Sequence, residues 1–106
     1  MALPSLTLAQ RQAALEKAAA ARRIRAEVKN RLKHSGATLA EVIVESQSNA
    51  IVAKLKVFDL LQAMPGVGKV RAKEIMNRIG IADSRRLRGL GVNQISALVR
   101  EFTDRG

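Results

Sequence analysis

The residues best suited to chemistry lie in one short run, Pro65-Gly66-Val67-Gly68-Lys69-Val70-Arg71-Ala72-Lys73. The pattern around it, from Leu60 to Met76, reads as a helix, a tight glycine turn and a second helix. A helix N-terminus leaves backbone N–H groups unpaired and carries partial positive charge, so it suits an anion such as phosphate. Gly66 and Gly68 let the backbone turn sharply and approach a partner closely, with Val67 between them. Lys69, Arg71 and Lys73 add full charges at the same pole.

A second cluster follows in Asp83-Ser84-Arg85-Arg86-Leu87-Arg88-Gly89-Leu90-Gly91. Asp83 or Ser84 is a natural N-cap, which predicts Arg85 and Arg86 in the first turn of a short helix ended by Gly89 and Gly91. Cations there oppose the helix dipole, at a cost of about 0.3–1 kcal/mol each. A local rule broken without compensation marks function, and a bound anion would reverse the sign of the penalty. Arg85, Arg86 and Arg88 are therefore the leading phosphate or groove contacts.

A third group, Arg22, Arg25, Lys29 and Lys33, recurs at spacings of three, four and four and shares one helix face. Glu27 is the only nearby acid, so pairing along the helix is thin. The group reads as a phosphate-tracking stripe, with a plain solvated face as the alternative.

Composition narrows the chemistry. The 106 residues carry 19 Lys and Arg against 9 Asp and Glu, a net charge of +10. A domain this basic meets nucleic acid first and an anionic membrane surface second. There is no cysteine, which excludes disulfides and thiolate metal sites. The single histidine, His34, sits at a helix end, where the dipole favours a cation, and makes a protein zinc site untenable. No apolar run approaches the roughly 20 residues needed to span a bilayer. The start, Met1-Ala2-Leu3-Pro4-Ser5, lacks the features of a signal peptide, so a cytoplasmic protein is expected.

The elements that position these cations read as all-α. Ala and Leu supply much of the apolar content, with two Phe and neither Trp nor Tyr. Residues 1–6 read as a flexible tail, with a Pro or Leu wedge between base pairs as the alternative. Thr7 to Gln10 has the form of a capping box, and no Gly or Pro interrupts the chain before Gly36. That predicts a long basic helix within residues 7–36, about 40 Å in length, part of which must project from so small a domain. Residues 37–106 form the rest. Thr38 to Glu41 is a second capping box, followed by an apolar face of Leu39, Val42 and Ile43. Ser46 to Asn49 is a break. Ala50 to Met64 then holds helical spacing into the turn. Ala72, Ile75, Met76 and Ile79 line the next helix, with Gly80 and Ile81 as its Schellman end. Asn93 is the expected cap of a last helix carrying Ile95, Leu98, Val99 and Phe102.

Pro65 to Gly68 resembles a helix–hairpin–helix element. Together with Ile79-Gly80-Ile81, the basic loop and the last helix, it resembles more closely the helix–two-turn–helix module. That module occurs in a ribosomal protein of the small-subunit head and in one family of DNA glycosylases. The chain is most similar to the actinobacterial integration host factor family. The blocks that carry the resemblance are Arg11 to Ala20, Ala26 to Gly36, Pro65 to Ala72 and Arg85 to Gly91. The resemblance implies a nucleoid-associated protein that binds double-stranded DNA with little sequence preference and serves phage site-specific integration. It implies that Arg85, Arg86 and Arg88 touch DNA, that the N-terminal helix acts as a lid, and that phage integrase on attachment-site DNA is a further partner.

The expectation is backbone-led binding by a monomer that bends or compacts DNA, with no cofactor, metal or membrane partner. Ribosomal RNA is the rival ligand, though the two Phe stand in core positions and offer no stacking platform. A glycosylase needs a pocket for a flipped base and a catalytic nucleophile or acid. Pro4 is not terminal and no acid follows the hairpin in a catalytic setting, so no catalytic residue and no enzyme activity are expected. A basic adaptor for another protein is the remaining class.

Overall fold

The structure is a computed structural model of the chain and describes residues 7–103. The tail expected over residues 1–6 lies outside the described residues. Among the described residues six α-helices follow in order: α1 (Leu8–His34), α2 (Leu39–Ser46), α3 (Ala50–Ala53), α4 (Val57–Ala63), α5 (Lys69–Ile79) and α6 (Val92–Thr103). A 3-10 turn, Leu87–Gly89, lies between the last two.

Local chemistry sets most of the boundaries. Thr7 Oγ1 accepts from Gln10 N–H at 3.1 Å while Gln10 Oε1 accepts from Thr7 N–H at 2.9 Å. This is the expected capping box, and it satisfies two amides that α1 would otherwise leave unpaired. α1 then runs 27 residues before Gly36 takes a φ of +71°. Thr38 and Glu41 form the second box at the head of α2. Asn49 Oδ1 caps α3, accepting from Ile51 and Val52.

Two of the helices depart from expectation, and a third departure lies in the loop after α5. The stretch from Ala50 to Met64 is not one helix: α3 ends at Ala53 and α4 begins at Val57. Between them Val57 N–H donates to the Arg85 carbonyl at 3.0 Å, Leu87 N–H donates to the Leu55 carbonyl at 2.9 Å, and Lys56 lies opposite Arg86 in an antiparallel bridge. Leu55 and Val57 are both buried. Residues two apart diverge on a helix but share a side of an extended segment, so the break lets Leu55 and Val57 face the core together. The second failure is at Asn93, which lies inside the first turn of α6. The helix starts one residue earlier, at Val92, and Gly91 accepts from Ile95 N–H.

The core gathers one side of every helix. Val28 and Leu32 of α1 meet Leu39 and Val42 of α2, Val52 of α3, Leu60 and Leu61 of α4, Ala72, Ile75 and Met76 of α5, and Leu98 of α6. Phe58 and Phe102 pack partly buried against this cluster. The first half of α1 is different, since every residue from Thr7 to Ala18 is exposed. The radius of gyration is 16.3 Å, against about 13 Å for a compact chain of this length, and the long dimension is 52 Å. A projecting helix accounts for the excess. No described helix is long and apolar enough to cross a membrane.

Leu60 is fully buried, whereas Leu15 on the projecting half is 63% exposed. Leu60→Ala should lower unfolding free energy by about 2–5 kcal/mol through lost burial and a residual cavity. Leu15→Ala should change it by less than about 0.5 kcal/mol. Denaturant melts of both variants check the pair.

Candidate nucleic-acid interface

The hairpin between α4 and α5 is built from a buried anchor and two exposed glycines. Val67 is buried, and its N–H donates to the Met64 carbonyl at 3.1 Å. Gly66 takes a φ of +77°, which an L side chain rarely adopts. Gly68 is the N-cap of α5 and its backbone is extended. No side chain caps this helix and no acid lies in its first turn. Ala72 N–H is bonded to the Gly68 carbonyl at 2.9 Å, so the amides of Lys69, Val70 and Arg71 precede the helix's own bonding pattern. Lys69, Val70, Arg71 and Lys73 are all exposed around this pole. Lys73 Nζ reaches Asp83 Oδ2 at 3.7 Å, with both side chains more than half exposed.

The loop after α5 differs from expectation. Gly80, with φ +87°, ends the helix, and the N–H groups of Gly80 and Ile81 both donate to the Met76 carbonyl at 2.8 Å. Buried Ile81 pins the exit, as the Schellman pattern predicts. Arg85 and Arg86, however, do not open a helix. Arg86 is extended, with φ −103° and ψ 161°, and only Leu87–Gly89 makes a helical turn. The expected conflict with a helix dipole at Arg85 and Arg86 therefore does not arise. Burial of Leu87 and the two bonds to the Leu55–Val57 segment hold this stretch extended instead.

A different electrostatic conflict replaces it. Lys56 stands directly opposite Arg86 in the bridge, and like charges so placed repel. Among the described residues no acid forms an ion pair with Lys54, Lys56, Arg85, Arg86 or Arg88. Arg86 Nη1 donates to the Lys54 carbonyl at 2.7 Å, and Arg85 Nη1 to the Gly89 carbonyl at 3.1 Å. Gly89 leaves room for that fold-back, since a Cβ there would meet Arg85 Cδ at 3.0 Å. Arg88 has no described hydrogen bond. Together with Ala82, Ser84 and Gly89, the three arginines line an open depression of about 350 Å³. The structure gathers these three arginines around one depression. It also sets Lys54 and Lys56, which the sequence pattern did not single out, beside them. Their signal was the alternation Lys54-Leu55-Lys56-Val57, which has a period of two.

The α1 stripe occupies other ground. Arg22 and Lys33 are exposed, while Arg25 and Lys29 are half-buried. Lys29 and Lys33 line a depression of about 440 Å³ together with Asn30, Asp59 and Gln62. It shares no residue with the arginine-lined one. Among the described residues no group of three or more His, Asp or Glu could hold a metal ion.

Residues 32–102 match the S13-like H2TH domain family. Over 106 residues the chain is 68% identical to the integration host factor of Streptomyces coelicolor, covering 100% of this chain and 99% of that one. The chain belongs to the actinobacterial integration host factor family. The integration host factor of Mycobacterium tuberculosis is 57% identical over 102 residues, 96% of this chain and 97% of its own. A solved structure of sIHF bound to an 8-bp palindromic DNA superposes with a TM-score of 0.80 at 69% identity, covering 82% of this chain and 98% of that one. The domain match begins in the last turn of α1 and takes in most of the buried core, with Val28 of α1 lying just before it.

Arg86 and Arg88 should separate on stability alone. Arg86→Ala loses the bond to the Lys54 carbonyl, about 1 kcal/mol, but relieves the repulsion from Lys56. Arg86→Lys keeps that repulsion and loses the guanidinium bond, so it should lower stability more than Arg86→Ala does. Arg88→Ala should stay within about 0.5 kcal/mol. Thermal melts without any ligand make the comparison.

Proposed function

We propose that this protein binds duplex DNA with low sequence preference, led by contacts to the phosphate backbone. The observation that carries this reading is the arginine-lined depression: three exposed arginines and the neighbouring Lys54 and Lys56 crowd one loop with no acid paired to them. Such a surface repels itself until a polyanion neutralises it. Its named relatives are integration host factors, and the similar solved structure is of sIHF with DNA.

The uncapped amides at Gly68 to Arg71, with Lys69, Arg71 and Lys73, hold one strand as a helix N-terminus holds phosphate. Gly66, Val67 and Gly68 bring the backbone close enough for that contact. Arg85, Arg86 and Arg88 hold the other strand or enter a narrow minor groove. Arg22, Arg25, Lys29 and Lys33 form a second contact surface on α1, the lid. Two such surfaces on one monomer bend or bridge DNA, which suits compaction of the nucleoid and assistance to phage integrase at attachment sites. The role is architectural, and the site contains no catalytic constellation.

Neutralising about six phosphates gives a slope of log K against log salt near −5. Arg88→Ala should weaken binding on all duplex sequences alike and flatten that slope by about 1. A salt titration on short duplexes reads both, and a native slope near zero would sink the proposal. Duplex RNA belongs in the same titration because the matched domain family is S13-like. Tighter binding to RNA than to DNA would move the reading to the ribosomal alternative.

A further inference from the structure

The segment that carries the arginines, residues 81–90, runs between two glycines. Gly80 closes α5 in the left-handed region, and Gly91 stands just before α6. One side chain reaches both. Gln94 Oε1 accepts from the Gly91 N–H at 3.0 Å, and Gln94 Nε2 donates to the Gly80 carbonyl at 3.0 Å. The two ends of the loop are therefore fastened to each other through a single amide.

The residue type matters. A primary amide offers an acceptor and a donor on one flat group. Glutamate could accept from Gly91 but could not donate to the Gly80 carbonyl. Asparagine has the right groups on a stem one methylene shorter. Capping α6 explains only the first bond, because Gly80 belongs to the end of a different helix.

We propose that Gln94 is a positioning residue for DNA engagement, clasping Gly80 to Gly91 so that the arginine loop meets phosphate already in shape. This rests on the DNA-binding reading above. Arg86 has the bridge and the Lys54 carbonyl to hold it. Arg88 has no described bond of its own and lies three residues before Gly91, so its placement depends most on the clasp. A loop ordered in advance loses less freedom on binding.

A double-mutant cycle with Arg88→Ala tests this, read as affinity for a short duplex at fixed salt. Gln94→Met keeps the length of the side chain and loses both bonds. It should weaken binding about fivefold. Arg88→Ala should then cost about threefold less on that background than on the native chain. Gln94→Glu is the second variant: it keeps the Gly91 bond at the head of α6 and loses only the Gly80 bond. Its effect on the DNA cancels in its own cycle, but its direct pull on Arg88 does not. The cycle is therefore run also at higher salt, where that attraction is screened, and the same reduced Arg88 effect is expected at both. This second cycle decides the matter if Gln94→Met fails to fold. Equal Arg88→Ala effects on all backgrounds, with the native chain binding duplex, overturn the inference alone. Failure of the native chain to bind duplex overturns the DNA reading, and the inference with it.

Discussion

Val57 N–H bonded to the Arg85 carbonyl and Leu87 N–H bonded to the Leu55 carbonyl place the cations of this protein. These two bonds join the α3–α4 junction to the arginine loop. They turn Leu55, Val57 and Leu87 into the core. Because neighbours on an extended segment alternate sides, they turn Lys56 and Arg86 outward and against each other. Burying three aliphatic side chains is worth about 1.5–3 kcal/mol apiece, whereas a like-charged cross-strand pair opposes it by roughly 0.2–1 kcal/mol. Burial wins, so the folded state holds two positive charges face to face at its surface. The loop's electrostatic character is a by-product of how its apolar neighbours pack.

The acids reinforce this concentration of charge. Glu45 pairs with Arg31 at 2.7 Å, Glu101 with Arg78 at 2.8 Å and Asp83 with Lys73 at 3.7 Å. All these pairs are partly or largely exposed, so each adds little to stability. Their effect is on the distribution of potential. They quiet cations on α1 and α5 and leave the loop's own cations unmatched.

Local features were legible in the sequence, and non-local ones were not. Thr7 with Gln10, Thr38 with Glu41 and Gly80 with Ile81 each satisfy backbone groups within a few residues, so spacing alone revealed them. The hairpin glycines were legible for the same reason. The break at Leu55 was not, because Ala50 to Met64 fits helical spacing and the pairing partner lies about thirty residues downstream. The same pairing took Arg85 and Arg86 out of the helix that Asp83 and Ser84 could have capped. Asn93 misled because a side chain beyond it, Gln94, already holds the Gly91 amide. The family resemblance does not supply the packing reason for which cations face outward.

The exposed first half of α1 has a thermodynamic consequence. From Thr7 to Ala18 it has no core to rest on. Its order comes from its cap, its alanines and propagation outward from the packed half, where each residue added gains only one backbone hydrogen bond. Warming should unwind it residue by residue from the free end, while Val28 and Leu32 stay locked until the core melts as one. Calorimetric and ellipticity transitions should therefore not coincide, with the two-state approximation expected to hold for the packed region only.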